Sequence, residues 1–239
     1  MTQDIQNDAG ESDEPDFEAL SAAVSSVRRL TTHLRKTQAD PALLAEVERD
    51  VNALADKLAP FDHPGPYAQR RLVIEEVMSG MERDTDDPKA YFKYSPVIGP
   101  LNPIAPPVDF ELKDREMHAT HSFEPQYNGP PASVHGGVIA LVFDELLGSL
   151  GAMLDIGGFT GTLEVIYRSL TPLQQPIRMR SWVDGEEGVK IFIKGEMYTT
   201  DPDGEERLCS QANGIFIRPK VSILDDALSK SKARTKEAR

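Results

Sequence analysis

The run from Val138 to Leu154 is apolar on nearly every side of a helix. A helix of that kind is stable in water only when other elements surround it. The chain must therefore supply a wrapping layer, and the flanking residues have the period to make one. Val108, Phe110 and Leu112 alternate with polar residues, and Met117, Ala119, His121 and Phe123 follow as a second strand after Lys113-Asp114-Arg115. Beyond the helix, strand patterns run over Thr160–Ser169, Ile177–Val183, Gly188–Thr200 and Arg207–Ile217. Asp184-Gly185 and Asp201-Pro202-Asp203-Gly204 read as the turns between them. Two strands, one buried helix and four strands predict an α+β domain in which an antiparallel sheet wraps a single central helix.

The N-terminal part differs in character. Met1 to Glu18 holds seven acidic residues and no basic one, so residues 1–16 are expected to be a disordered acidic tail. Leu20, Val24, Val27 and Leu34 then recur at helical spacing. Asp40-Pro41 supplies an N-cap and a first-turn proline, after which Leu44, Val47, Val51, Leu54 and Leu58 alternate by three and four until Pro60. The spacing predicts a helical hairpin over 17–59 whose narrow stripes need a partner: each other, the main domain or another subunit. Residues 60–107 read as a proline-rich connection that wraps the next domain, with a short helix at Tyr67–Met81. The sheet-and-helix domain is expected over 108–219, followed by a basic tail over 220–239.

Charge and cysteine content narrow the function classes. With 26 Lys+Arg against 39 Asp+Glu the net charge is -13, which repels nucleic acids and anionic lipid surfaces. Cys209 is the only cysteine, so no intrachain disulfide forms, and it lacks neighbours for a zinc site. No run reaches the ~18 to 20 apolar residues that span a bilayer, and the first residues carry no secretory pattern. A cytoplasmic protein without a membrane, nucleic-acid or metal partner is the expectation.

Asp144 interrupts the apolar helix, and an unpaired buried carboxylate is unfavourable by several kcal/mol, which points to a use for it. Just upstream, His135-Gly136-Gly137 exposes backbone N–H groups at the positive end of the helix dipole. That arrangement suits polarising a carbonyl oxygen. The stretch Asn128-Gly-Pro-Pro-Ala-Ser-Val-His-Gly-Gly-Val-Ile-Ala-Leu-Val-Phe-Asp144 resembles the signature of hotdog-fold acyl-CoA thioesterases of the phenylacetate-degradation (PaaI-like) type. Thr160-Gly-Thr-Leu-Glu-Val-Ile-Tyr167, with Pro172 beyond it, resembles that family's next strand.

The resemblance implies hydrolysis of an acyl-CoA thioester at a dimer interface. Asp144 would be general base or nucleophile, the Gly136 and Gly137 backbone an oxyanion hole, His135 a positioning group, and Thr160 the residue that orients the water or Asp144. Asn128, Val138, Tyr167 and Arg168 would contact substrate. No cofactor is implied beyond the coenzyme A of the substrate, and the assembly would be a homodimer or a dimer of dimers. Glu145 follows Asp144 directly, about 100° away around the helix, so only one of the two should face the thioester, and Asp144 is the one expected to do so. Arg178 and Arg180, with Arg168, are candidates for the nucleotide phosphates. An alternative reading is a non-catalytic acyl-CoA-binding or scaffold protein whose N-terminal hairpin recruits a partner.

Overall fold

Six segments form one antiparallel sheet: β1 (Phe110–Lys113), β2 (Glu116–His121), β3 (Phe159–Tyr167), β4 (Ile177–Glu187), β5 (Lys190–Thr200) and β6 (Glu206–Ile217). Their order across the sheet is β1-β2-β4-β5-β6-β3. The computed structural model describes residues 16–62 and 85–218. Most of the expected acidic tail, the Tyr67–Met81 helix and the basic tail over 220–239 lie outside the described residues.

Between β2 and β3 the chain forms the central helix, Gly136–Met153, preceded by helices α1 (Phe17–Lys36) and α2 (Pro41–Leu58); the central helix is called α3 below. Ile139, Val142, Phe143, Leu146, Leu147, Leu150 and Met153 of α3 are buried against the sheet. The opposing residues come from alternate positions of the strands, among them Met117, Ile177, Met179, Ile191, Ile193 and Met197. Burying each such side chain contributes roughly 1.5–3 kcal/mol. This is the hotdog arrangement that the resemblance implied. By length and composition α3 would also pass as a membrane span, a property the residue-run reading missed because it stopped at the charged pair. The sheet that curls around it accounts for its hydrophobicity.

Close approach of helix and sheet depends on two glycines. A Cβ on Gly195 would stand 2.8 Å from Leu147 Cδ1, and one on Gly214 would stand 2.7 Å from Leu147 Cδ2. Without side chains there, Leu147 seats directly on the strands.

One expected turn needs correction. Asp184-Gly185 is no turn: β4 runs through it to Glu187 with a register shift between Val183 and Gly185. The chain reverses instead at Gly188-Val189, between the paired Glu187 and Lys190, where Gly188 adopts a φ of +58°. Both dipeptides carry turn chemistry, and the cross-strand partners decide which one turns and which one bulges.

The N-terminal helices begin where their caps place them. Asp16 accepts from Ala19 N at 2.8 Å, and Asp40 accepts from Ala42 N and Leu43 N, both at 3.0 Å. They do not share a core. α1 docks on the body: Val24 is buried, and the Arg28 guanidinium donates to the carbonyls of Gly99 (2.8 Å), Pro100 (3.1 Å) and Asn102 (2.7 Å). Lys36 adds an ion pair to Glu124. No residue of α2 is buried.

The core also reaches back past residue 108. Val97 and Ile98, in the proline-rich connection, belong to the cluster around α3. Ser95 turns the chain there, its Oγ accepting from Val97 N at 3.1 Å and Ile98 N at 3.2 Å.

Arg28 is thus the anchor of α1. Arg28→Ala should lower unfolding stability by on the order of 2 kcal/mol, the scale of hydrogen bonds from a charged donor. Arg28→Lys should recover only part of it, because an ammonium cannot fork to three carbonyls. Urea denaturation of the full chain reads both; a midpoint unmoved by the alanine variant would show that Arg28 is not the anchor of α1.

Candidate functional site

The loop before α3 is built to present His135. Asn128 donates through Nδ2 to the carbonyls of Gly129 (2.7 Å) and Pro130 (2.8 Å), closing the turn. Gly129 passes so near His135 that a Cβ there would lie 2.6 Å from His135 Cα, which excludes any other residue. Val134 N donates to Thr171 O at 2.8 Å and His135 N to Tyr127 O at 2.9 Å, fixing the loop between neighbouring segments.

His135 is the N-cap of α3. Its Nδ1 accepts from Gly137 N at 2.9 Å, so in the neutral ring the proton sits on Nε2. Its carbonyl takes Val138 N at 2.9 Å and Ile139 N at 3.1 Å. Of the two glycine N–H groups expected to polarise a carbonyl, Gly137's is therefore held by His135. Gly136's has no partner among the described residues. The Gly136 carbonyl accepts from the Tyr167 hydroxyl at 2.8 Å, tying the end of β3 to the start of α3.

Asp144 stands two turns further along. It is half-buried, and its Oδ1 accepts from Thr160 Oγ1 at 2.8 Å. Gly137, Leu141, Asp144 and Gly148, spaced four, three and four, share the helix face that the sheet leaves open, and Leu141 is 41% exposed there. Seven residues separate Gly137 from Asp144, about 10 Å of helix rise. The sequence-derived candidates thus fall into two groups on one face. His135, Gly136, Gly137, Tyr167 and Arg168 lie at the helix start, and Asp144 with Thr160 lies further down.

Beside the helix start, Pro130, Val134, Gly136, Ile139, Tyr167 and Arg168 line part of a cleft of about 390 Å³. Arg168 reaches it from the end of β3, its Nε donating to Gln211 Oε1 at 3.0 Å. Val138 packs against the core. Asn128 holds the loop through its own backbone neighbours. Arg178 and Arg180 are elsewhere: on β4 they alternate with the buried Ile177, Met179 and Ser181, so they lie on the outer face of the sheet. There Arg178 pairs with Glu206 and Arg180 with Glu196. Among the described residues no group of three His, Cys, Asp or Glu side chains is placed to hold a metal.

One residue beside Asp144 gained an importance that spacing alone did not reveal. Glu145 turns toward the connection, where burial pushes its carboxyl up to about 7, with the Asp144 charge adding to the rise and a hydrogen bond from the Ser95 hydroxyl opposing it. Ser95 has one proton to give, because its oxygen already accepts from two backbone N–H groups. Nothing in Tyr94-Ser95-Pro96 marks a partner for the central helix. The signal is tertiary.

No protein-family model matches the chain. Among curated proteins it is similar to acyl-coenzyme A thioesterase THEM4 of Xenopus laevis, 30% identical over 109 residues, which is 46% of this chain and 48% of that protein. The bovine (Bos taurus) THEM4 is 32% identical over 96 residues, 39% of this chain and 37% of the relative. The match thus spans about half or less of the length of these relatives. A crystal structure of a thioesterase superfamily protein aligns over 85% of this chain and 97% of its own, with 29% identity and a TM-score of 0.68.

Glu145 makes stability depend on pH with a definite sign. Its folded carboxyl holds its proton to about 7, while in the unfolded chain it ionises in the ordinary carboxylate range. From that range up to 7 the unfolded state releases a proton that the folded state keeps, so stability falls as pH rises. The loss is up to ~3 kcal/mol. Urea unfolding at pH 5 and pH 8 should show Glu145→Gln losing less stability across that interval than the parent chain. Equal losses would mean that Glu145 is ionised throughout.

Proposed function

We propose that this chain, a hotdog-fold member of the thioesterase superfamily, hydrolyses the thioester of an acyl-coenzyme A to the free acid and coenzyme A. The observation that carries this reading is the Asp144–Thr160 pair on the uncovered face of a helix otherwise committed to the core. A carboxylate placed there, oriented by a hydroxyl and open to one side, is suited to accepting a proton from water.

In the proposed reaction Asp144 takes a proton from a water whose oxygen attacks the thioester carbonyl carbon. The carbonyl oxygen becomes an oxyanion and is received by the N–H of the partner's Gly136, because the Gly136 of the same chain lies too far along the helix from Asp144 to share one carbonyl. Collapse of the tetrahedral intermediate breaks the C–S bond, and the proton held by Asp144 neutralises the leaving thiolate. The same carboxylate attacking directly would give an acyl anhydride that water then cleaves. Label found in Asp144 after a single turnover in ¹⁸O-water identifies the anhydride route, with water opening the anhydride at the aspartyl carbon; trapping the acyl group on Asp144 identifies it when water opens the anhydride at the acyl carbon. His135 positions the first turn, and Arg168, at the rim of the cleft beside Gly136, supplies positive charge for the phosphates of coenzyme A. Acyl contacts fall to Val138 and its neighbours at the helix start; Tyr167 lines the same cleft.

A second copy of the chain completes the site in this reading. β3 is an edge strand, bonded to β6 on one side only, and Phe159 and Tyr167 at its ends are 61% and 52% exposed. Uncovered edges of this length invite strand pairing. Antiparallel pairing of β3 with its copy about an axis between Leu163 and Glu164 would set Thr160 and Asp144 of one protomer opposite the partner's Tyr167 and Gly136. It would also cover the Gly137-Leu141-Asp144-Gly148 face. One observation favours the rival reading of a non-catalytic binder or scaffold: no residue of α2 is buried among the described residues. Tight binding of acyl-CoA without thiol release at any chain length would decide for it.

Asp144→Asn should lower the rate constant of thiol release across an acyl-CoA panel by about 10²-fold or more, with the acyl-CoA dissociation constant held within a few-fold. Thr160→Val should reduce kcat by a smaller factor with little change in KM. An Asn variant as active as the parent chain would sink the mechanism.

A further inference from the structure

α2 is an 18-residue helix that buries nothing. Leu54, Leu58 and Phe61, just past its end, are 57%, 69% and 83% exposed. Helices of this length are marginal in water unless an apolar face is covered, and among the described residues nothing buries a side chain of this one. Its stripe points to the kind of surface that would. Leu44, Val47, Val51, Leu54, Leu58 and Phe61 are spaced three, four, three, four and three. That is the 3.5-residue period by which one helix seats its side chains between those of another helix. α1 has a different spacing and a different fate, held on the body by Arg28.

The charges beside the seam select the orientation. Asp50 and Lys57 flank it on one side, Glu48 and Ala55 on the other. In a parallel pair of identical helices, opposite flanks meet: Asp50 would face an alanine, and Lys57 would meet only Asp62, which lies beyond the helix end at Leu58 and outside the turn Ala59–Phe61. In an antiparallel pair the same flanks meet, and Asp50 lies beside the partner's Lys57 at two symmetric places. Val51 then packs on the partner's Leu54, Val47 on the partner's Leu58, and Leu44 on the partner's Phe61. We infer that α2 pairs antiparallel with α2 of a second copy of this chain, through a contact separate from the β3 edge. Two independent two-fold contacts would join β3-paired dimers into larger closed assemblies.

Sedimentation velocity on the full chain over a range of concentrations tests this, and it reads assembly whether or not the thioester chemistry holds. Leu54→Glu with Leu58→Glu should weaken association at least tenfold while the body stays folded, since both side chains are exposed. Asp50→Lys alone should weaken it about fivefold or more by placing two lysines together. Asp50→Lys with Lys57→Asp should bring it back to within about twofold of the parent chain, because the reversed pairs match again. Unchanged association in the leucine variant would overturn the proposal. So would failure of the double reversal to restore it, which would place the stripe against some other surface. Acyl-CoA hydrolysis per chain, assayed on the same samples, should be retained in all these variants. Its absence from every sample, parent included, would count against the thioesterase reading and not against the helix pairing.

Discussion

Leu147 touches the sheet where Gly195 and Gly214 leave out a side chain, and the placement of everything chemical follows from that contact. It sets how close α3 lies to β5 and β6, and hence where β3, bonded to β6, runs relative to the helix. Both ends of β3 then reach α3 through side chains: Thr160 to Asp144, and Tyr167 to the carbonyl of Gly136. A helix displaced outward by one added methyl would lose both hydrogen bonds together. The two glycines therefore act on the candidate site although neither is part of it.

The N-terminal extension reaches the same helix by a chain of polar contacts. Arg28 of α1 collects the carbonyls of Gly99, Pro100 and Asn102; the same segment begins at Ser95, whose hydroxyl is bonded to Glu145. Glu145 is the immediate neighbour of Asp144. Separating the two carboxylates around the helix gives them different surroundings, one beside a hydroxyl at an open face, the other desolvated, with its carboxyl pushed up to about 7. A single helical position thus decides which carboxylate faces the open side.

Charge is distributed to the same effect. The chain is acidic as a whole, and the arginines on the outer face of the sheet are neutralised by Glu206 and Glu196. Arg168 has an amide partner, Gln211, and keeps its charge at the rim of the cleft beside Gly136. For an anionic ligand, that local cation matters more than the net charge, because screening confines the distant carboxylates' influence to roughly a Debye length, ~8 Å.

By itself the sequence determined the elements and the two chemical groups. The period of two in the strands, the apolar central helix, the aspartate caps at Asp16 and Asp40, and His-Gly-Gly with Asp144 nine residues after the histidine are all written locally. Hydrophobic period and capping depend only on residues within a turn or a strand of one another. Tertiary structure alone decided that Asp184-Gly185 bulges while Gly188-Val189 turns, and that Gly137's N–H is taken by His135 while Gly136's has no partner among the described residues. It also turned Arg178 and Arg180 away from the helix, brought Ser95 to Glu145, and docked α1 while leaving α2 bare. Each of these depends on a partner distant in the chain or on a choice between equivalent local signals. Such choices are settled by which surfaces meet when the core closes.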